Sequence, residues 1–366
     1  MTSKQNTILV TGGTGFLGRF LVERLLQRGA RILLLVRPGS EGKLEALRQK
    51  LSASNEQLSM VAGDIAEPGM GMSDLDREQL SGQISAFFHV AALYDLKAPA
   101  AQQQRMNVEG TANALACAKQ LKVGCFHYVS STAVSGMYSG CFTENMYPEA
   151  ENLANAYFQT KHDAEGIVRA ERSLPWRIYR PSGIVGHSQT GEIDKIDGPY
   201  YSFAVIRKLS ALPAVLTLPG VKGKGALNLV PVDFVANAID HIAHQPALDG
   251  QCFHLTNSRG YSPVQITNVF AKVAGGPQLS EKVAINTDSQ LFTRLLSLRP
   301  VAAAGRAVLA KVGIPEDALR MMQWDTVYDA TNTQAALRGT DIAVPPLESY
   351  ADRLWNYWDT HLRTAG

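Results

Sequence analysis

The chain has 366 residues, with 35 Lys and Arg against 33 Asp and Glu, and a formal net charge of +2. This length predicts one large core with a smaller lobe, and the near-balanced charge argues against a nucleic-acid surface. No apolar run is long enough to cross a bilayer and no signal sequence precedes the first strand, so we expect a cytoplasmic location. The cysteines at 117, 125, 141 and 252 show no C-x-x-C spacing, and the histidines and cysteines together show no ligand spacing, which predicts reduced thiols and no metal site.

A glycine-rich segment follows the first predicted strand, whose apolar run is Thr7–Val10. Glycine permits a tight turn off the strand, close approach of the backbone to a pyrophosphate and close packing of the next helix. A helical stretch ending at Gly29 follows, and this context predicts a dinucleotide phosphate loop rather than an ordinary turn. The loop residues are Thr11, Gly12, Gly13, Thr14, Gly15, Phe16, Leu17 and Gly18.

The second predicted strand, Arg31–Val36, is followed by Arg37. NAD enzymes carry an acidic residue in this region for the ribose hydroxyls, whereas an arginine suits the 2′-phosphate of NADP. We therefore predict NADPH/NADP as the cofactor, with Ser40 and Lys43 as further donors. A solvated arginine at a strand end is the alternative.

The third predicted strand ends at Asp64, which Ile65 follows. The Asp64 carboxylate is placed to meet the adenine edge of a cofactor. An Asx turn or a helix cap is an equally weighted interpretation.

Strand and helix patterns alternate through the first half, which predicts an α/β fold with a doubly wound Rossmann parallel sheet and a smaller, mostly helical C-terminal substrate lobe. The Rossmann domain is predicted over 1–185 and 226–258, and the substrate lobe over 186–225 and 259–366. Two helices, at 99–121 and 150–172, are long enough to pack together or to pair between subunits in a homodimer. The predicted strands are 7–11, 31–36, 58–62, 85–91, 125–130, 176–180 and 252–255. The other predicted helices are 16–28 and a helix that residues 229–234 begin and that ends near 244.

The composition changes after Pro181. Residues 183–225 are rich in Gly, Ser and Pro with aromatic insertions, which predicts a substrate loop followed by a helix. From 263 to 366 helical patterns dominate. The segment 290–312 predicts an amphipathic helix or pair, which either packs in the small lobe or forms a lid over a hydrophobic tunnel.

Tyr157 and Lys161 lie four residues apart on one predicted helix and so share a face. A nearby ammonium favours the phenolate and lowers the pKa of the phenol from its reference of about 10, so the pair can exchange a proton near neutral pH. Ser130, Ser131 and Thr132 end the fifth predicted strand, at the edge of the sheet where open α/β folds bind ligands.

Together with Arg180–Gly183, these motifs resemble the extended short-chain dehydrogenase/reductase superfamily over roughly residues 5 to 260. Within it, the chain is similar to the fatty acyl-CoA reductase and thioester reductase branch. It is most similar to the N-terminal reductase domain of bacterial long-chain, alcohol-forming fatty acyl-CoA reductases. The matching segments are 11–23, Phe88–Ala92, Asn107–Thr111, Gly186–Glu192 and Asp197–Tyr201.

The resemblance implies catalytic roles. Tyr157 would donate a proton to the carbonyl oxygen, and Lys161 would lower the pKa of Tyr157 and hold the nicotinamide ribose. Ser131 would hydrogen-bond the same oxygen; it is preferred to Thr132 because it lies five residues before Gly136, as the family's catalytic serine lies before its glycine.

The resemblance also implies a cofactor surface. Backbone atoms of the segment from His89 to Ala92 would line the cofactor, and Pro181 would abut the carboxamide, whereas the His89 side chain is interpreted as a core histidine. Outside the glycine loop, the predicted cofactor-binding residues are Arg37, Asp64, Ile65, Ala91, Ala92, Asn107, Tyr157, Lys161, Pro181 and Gly183. The predicted substrate residues are Tyr94, Thr132 and Tyr200.

The implied activity is NADPH-dependent reduction of a long-chain acyl carbonyl, either fatty aldehyde to alcohol or acyl-CoA thioester to aldehyde. A hydroxysteroid or other secondary-alcohol dehydrogenase is one alternative; a non-catalytic NADP-binding regulator is another, which the presence of both Tyr157 and Lys161 disfavours. The relatives continue into a second reductase domain, so this sequence is either a stand-alone reductase or one half. The cations at 207, 208, 222 and 224 form no clear CoA-phosphate cluster and are interpreted as solvated surface, so aldehyde reduction is favoured.

Overall fold

The computed structural model describes residues 6–95, 98–153, 155–194, 196, 198–222, 225–286 and 325–363. The segment 290–312, predicted as a helix or lid, lies outside the described residues, as do Asp197 and Lys224.

Most of the strands belong to one sheet, and the others pair in twos. The strands are β1 (Thr7–Thr11), β2 (Arg31–Val36), β3 (Leu58–Ala62), β4 (Ile84–His89), β5 (Cys125–Val129), β6 (Gly140–Phe142), β7 (Trp176–Pro181), β8 (Gly183–Val185), β9 (Thr217–Lys222), β10 (Leu229–Pro231), β11 (Gln251–Leu255), β12 (Gln278–Asn286) and β13 (Thr326–Tyr328).

The helices cover both faces of this sheet and build the second lobe. They are α1 (Phe16–Gln27), α2 (Glu41–Leu51), α3 (Asp74–Leu80), α4 (Ala100–Gln103), α5 (Gly110–Gln120), α6 (Ala156–Ala170), α7 (Phe203–Leu209), α8 (Val232–Ala243), α9 (Pro263–Val273), α10 (Thr331–Ala336) and α11 (Ala351–Tyr357).

The main sheet has seven parallel strands in the order β11-β7-β5-β4-β1-β2-β3. This confirms the predicted doubly wound Rossmann sheet. Ile8 and Val10 of β1 pack into one hydrophobic cluster with α1 and α8, and Leu9 packs into a second cluster with α5 and α6. Burial on both faces explains why these strands appear in the sequence as continuous apolar runs.

Several elements differ from the sequence expectation. The helix predicted over 99–121 is divided into α4, a π-helical segment at Gln104–Glu109 and α5. The C-terminal region, predicted mostly helical, contains β12 and β13. These strands form through pairing with β9 and β6, which are distant in sequence, so local periodicity does not indicate them.

Helix α6 begins later than predicted. The Asn155 side chain accepts a hydrogen bond from the Tyr157 N–H at 2.8 Å and caps the helix, so Tyr157 lies in its first turn. Helices α5 and α6 pack on each other within the chain. A homodimer through these helices stays a prediction.

A third hydrophobic cluster forms the second lobe. Its centre is Phe203, whose ring lies 4.4 Å from Phe270 and 5.1 Å from Trp355 between ring centroids. Residues 326–336, which the sequence groups with this lobe, pack on the sheet domain, because β13 pairs with β6 and α10 lies against β11.

A buried ionic network joins the carboxyl ends of the central strands. Glu165 of α6 is fully buried and accepts hydrogen bonds from Arg180 of β7 at 2.6 and 3.0 Å. It also accepts from Arg169 Nε at 2.6 Å and from Ser130 Oγ, just beyond β5, at 2.7 Å. Arg180 in turn donates to His254 Nε2 of β11 at 3.0 Å. The network therefore fixes α6 against three strands.

We expect Glu165→Ala to lower the free energy of unfolding by about 3–5 kcal/mol, because it leaves the buried Arg180 charge without its partner. The two arginines lower the pKa of Glu165 to about 2 against the burial that raises it. The stabilisation is therefore complete above the ordinary carboxyl value of 4.5 and is lost as pH falls through about 2.

Urea unfolding at neutral pH measures this loss. Asp163→Ala, on the exposed side of the same helix, is the matched control, with an expected change of about 0.5 kcal/mol or less. Equal losses in the two variants would contradict the structural role of Glu165.

Candidate active site

The glycine loop connects β1 to α1 at the carboxyl edge of the sheet. Gly12 has φ of 71°, and a Cβ atom there would lie 2.7 Å from the Ala91 backbone nitrogen. A Cβ at Gly13 would lie 2.6 Å from the Leu34 side chain, and one at Gly18 would overlap the Gly12 carbonyl oxygen. Close packing against backbone therefore requires glycine at 12 and 18, whereas a side chain at 13 would have to displace the end of Leu34.

The amino end of α1 is suited to bind an anion. Gly15 occupies the N-cap position, and among the described residues no side chain caps the helix and no acid lies in its first turn. The first N–H groups of the helix are left to a ligand, and the helix dipole favours negative charge there. The loop therefore fits the pyrophosphate of a dinucleotide.

His89 anchors the base of this loop. Thr11 Oγ1 lies 2.8 Å from His89 Nδ1, and His89 Nε2 lies 3.2 Å from Thr111 Oγ1. The Thr111 hydroxyl donates to the Asn107 carbonyl at 2.6 Å, so His89 donates from Nε2 and accepts at Nδ1. Burial, aided by the Lys161 charge, lowers the pKa of His89 to about 3, which keeps it neutral. The structure places His89 as a core histidine.

Asn107 holds the segment that lines the site. Its Oδ1 accepts from the Leu93 N–H at 2.7 Å, and its Nδ2 donates to the Leu93 carbonyl and to Thr160 Oγ1, each at 3.2 Å. Asn107 was predicted to bind the cofactor. Its side chain makes these protein contacts and positions residues 91–94 against α6, and its contact with the cofactor stays a prediction.

The predicted adenosine-side residues lie beyond β2 and β3. Arg37 is exposed directly after β2, and Lys43 is exposed in the first turn of α2. Asp64 Oδ1 accepts from the Ala66 N–H at 3.0 Å. One of its carboxylate oxygens therefore forms the Asx turn that the sequence offered as one interpretation. The Ile65 side chain is buried against Gly110.

The three predicted catalytic residues, Ser131, Tyr157 and Lys161, lie where β5 ends and α6 begins. Tyr157 is nearly buried, and burial raises the pKa of its phenol to about 12, against an opposing effect of its hydrogen bond with Ser131. Ser131 Oγ also accepts from the Ala133 N–H at 3.1 Å, which orients the hydroxyl. A neutral phenol and a serine hydroxyl thus lie side by side.

The expectation that Lys161 lowers the pKa of Tyr157 is not met in this structure. Lys161 Nζ is turned away and donates to Tyr128 Oη at 3.1 Å and to the Val129 carbonyl at 3.0 Å. Burial lowers the pKa of Lys161 to about 8, and the Glu165 carboxylate one helical turn away opposes this shift. An ammonium has three donors, and these two contacts leave one for a ligand.

The predicted substrate residues separate into two groups. Tyr94 is 43% exposed, and its ring lies 5.2 Å from the Tyr157 ring between centroids in a T-shaped arrangement. Thr132 is buried next to Ser131, and its carbonyl accepts from Ser135 Oγ at 3.0 Å. Tyr200 is instead a core residue of the second lobe, where its Oη accepts from the Gly186 N–H at 2.9 Å.

Backbone of the remaining predicted residues lies at the same sheet edge. Ala91 and Ala92 directly follow β4 beside the glycine loop, Pro181 ends β7, and Gly183 begins β8 with its N–H bonded to the Asn228 carbonyl at 3.0 Å. The structure thus brings the loop, the trio and these segments to one edge.

The sequence interpretation missed Glu165, Tyr128 and Tyr328. Glu165 continues the spacing of Tyr157 and Lys161 by four more residues, a signal that the sequence does contain. Tyr328 Oη lies 3.2 Å from Ser135 Oγ beside the catalytic turn. It reaches this place through the pairing of β13 with β6, which no local pattern indicates.

Within the ranges that the structure describes, no group of His, Cys, Asp and Glu side chains is arranged to hold a metal ion. The described helices include none that is long and apolar enough to span a bilayer.

Comparisons with known proteins agree with this geometry. The family model described as Male sterility protein, an NAD-binding domain, matches residues 10–239. The chain is 32% identical over 271 residues to a component of the linear gramicidin synthase of Brevibacillus parabrevis, covering 70% of this chain and 5% of that protein. It is 30% identical over 275 residues to aldehyde reductase lnbA of Aspergillus flavus, covering 69% of this chain and 26% of that protein. The chain therefore spans about a quarter or less of these two relatives.

Solved structures show the same fold. The terminal R domain from the myxalamid PKS-NRPS biosynthetic pathway has a TM-score of 0.78 and 28% identity, covering 98% of this chain and 92% of that one. A thiolation-reductase di-domain from an archaeal non-ribosomal peptide synthetase has a TM-score of 0.71 at 18% identity, covering 97% and 75%, and shows the fold alone. The chain belongs to the Male sterility protein family, within the extended short-chain dehydrogenases/reductases, and is an NAD(P)-dependent oxidoreductase.

Proposed function

We propose that the chain uses NADPH to reduce a long-chain acyl carbonyl, and that the step it performs is fatty aldehyde to fatty alcohol. The observation that carries the proposal is the neutral, buried Tyr157 phenol hydrogen-bonded to Ser131 at the sheet edge, with Lys161 one turn further along the same helix. This set supplies acid catalysis to a carbonyl oxygen.

The bound nicotinamide cofactor supplies a hydride to the carbonyl carbon. Tyr157 donates its proton to the carbonyl oxygen, and because its pKa is raised it holds that proton across the neutral range. Ser131 accepts from Ala133 and directs its own hydrogen toward Tyr157, from where it would turn to the same carbonyl oxygen when substrate binds. Lys161 offers its third donor to the cofactor ribose.

Aldehyde reduction is favoured because the residues present suffice for it. A thioester must also expel a thiolate, and its CoA or phosphopantetheine arm needs phosphate contacts. Arg207 is exposed, with its Nε 3.9 Å from Asp359, and Lys208 is exposed beside it; Lys224 lies outside the described residues. The name of the relative lnbA, an aldehyde reductase, supports the same step.

Acyl thioester reduction is the second candidate. The likeness to the terminal R domain of the myxalamid PKS-NRPS pathway supports it. The chain also resembles one domain of two-domain fatty acyl-CoA reductases. In such a protein this domain could reduce the thioester while the second domain reduces the aldehyde.

Steady-state assays of the purified chain with NADPH test the proposal. Decanal and palmitoyl-CoA are compared by quantifying alcohol, free thiol and NADPH oxidation. We expect decanal to give decanol in a one-to-one ratio with NADPH consumed, and thiol release to be slower. Rapid thiol release with negligible aldehyde consumption would contradict the proposal and favour acyl thioester reduction. Turnover of a ketosteroid alone would indicate a secondary-alcohol dehydrogenase.

We expect Arg37→Ala to weaken NADPH binding by about ten- to a hundredfold, because the variant loses a charge-assisted contact with the 2′-phosphate worth roughly 1.5–3 kcal/mol. NADH binding should barely change. Fluorescence titration of both cofactors measures the effect. Arg31→Ala, at the opposite end of β2 and also exposed, is the control. Equal affinity of the unmodified chain for NADH and NADPH would refute the assignment.

We expect Tyr157→Phe to lower turnover on the order of 10²–10⁴-fold with NADPH affinity nearly intact, because only the proton-donating hydroxyl is removed. Tyr138→Phe, a tyrosine half-buried between the catalytic turn and β6, is the matched control and should retain full turnover. If the Tyr157 variant keeps most of its activity, the acid lies elsewhere.

A further inference from the structure

An exposed turn without polar side chains follows α7 in the second lobe. All six residues from Ala211 to Leu216 are exposed, and each is apolar: Ala, Leu, Pro, Ala, Val and Leu. Val215 is 86% exposed, Leu212 41% and Leu216 42%. A run of consecutive exposed apolar residues in a water-facing turn is unfavourable and indicates an interaction site.

The turn is held in place. The Leu216 N–H donates to the Pro213 carbonyl at 3.0 Å, which presents Ala214 and Val215 at the tip. At its base, α7 buries Phe203 and Ile206 in the core of the second lobe. The packing of α7 and the hydrogen bond within the turn therefore hold the apolar residues at the surface.

The sequence around the turn carries only basic charges, although Arg207 Nε lies 3.9 Å from Asp359 of the C-terminal segment. Residues 198–232 contain no Asp or Glu and carry Arg207, Lys208, Lys222 and Lys224. Arg207 and Lys208 lie in the last turn of α7, and both are exposed. Apolar side chains next to basic ones are the combination that binds the interface of an anionic bilayer.

We propose that the turn 211–216 inserts into the surface of a membrane containing anionic lipids, with Arg207 and Lys208 at the headgroups. A stable protein partner requires an interface of about 800 Å² on each side, which a single protruding turn does not offer, whereas a bilayer needs no complementary shape. The proposal stands on this surface alone and does not depend on which carbonyl the site reduces.

Co-sedimentation of the full chain with sucrose-loaded vesicles tests the proposal. We expect binding to equimolar phosphatidylcholine and phosphatidylglycerol, and weaker binding to phosphatidylcholine alone. Val215→Asp should lower vesicle affinity at least about tenfold, and Arg207→Ala with Lys208→Ala should lower affinity for anionic vesicles about fivefold for each cation removed. Leu75→Asp, which changes a 62% exposed leucine on α3, is the matched control and should bind as the unmodified chain does.

Three results would overturn the proposal. The first is failure of the unmodified chain to sediment with anionic vesicles, and the second is sedimentation of Val215→Asp as strong as that of the unmodified chain. The third is a melting temperature lowered by several degrees in Val215→Asp but not in Leu75→Asp, which would show that the turn packs against the rest of the chain. If the chain ignores vesicles but binds an acidic acyl carrier protein through Val215, the surface belongs to a protein partner instead.

Discussion

The rest of the site depends on the buried ion pair between Glu165 and Arg180. Neither charge has access to water, so each requires its partner, and the hydrogen-bond geometry leaves little freedom in how α6 meets β7. Ser130 is bonded to the same carboxylate, which places Ser131, the next residue, at the catalytic turn. The parallel sheet brings these strand ends together, and the ion pair fixes the position of α6 against them.

The same carboxylate influences Lys161, one helical turn away. Burial disfavours the ammonium, whereas the negative charge of Glu165 favours it, so the pKa of Lys161 is lowered only to about 8. Below that pH the site contains a buried cation and a neutral phenol on the same helix. The phenol stays neutral because burial raises its pKa and because Lys161 faces Tyr128 and Val129 instead.

The sequence predicted the sheet well for a physical reason. Strands buried on both faces must be apolar throughout, and the glycines of the first loop are demanded by contacts such as that of Gly12 with Ala91. The trio was also predictable, since Tyr157 and Lys161 share a helical face whatever the rest of the fold does. Tyr200 lies in the core of the second lobe, a placement the sequence did not predict because composition does not distinguish a substrate-facing aromatic residue from one whose hydroxyl satisfies a buried N–H.

What the sequence did not predict depends on distant pairing. Tyr328 reaches the catalytic turn through β13 and β6, and β12 forms only against β9. The pKa of Tyr157 was expected to fall because the motif places Lys161 on the same face; the structure turns the Lys161 ammonium toward β5, and burial then dominates. The spacing of two residues along a helix determines that they share a face. The groups that each side chain contacts are determined by how the helix packs in the fold.

The pH dependence of NADPH affinity tests most directly whether the Lys161 cation, maintained by Glu165, holds the cofactor. Because binding favours the ammonium, the account predicts constant affinity below about pH 8 and a decline of up to about tenfold per pH unit above it. Lys161→Met should bind more weakly, with no such decline. A flat profile for the unmodified chain, or the same decline in the Lys161→Met variant, would contradict the account.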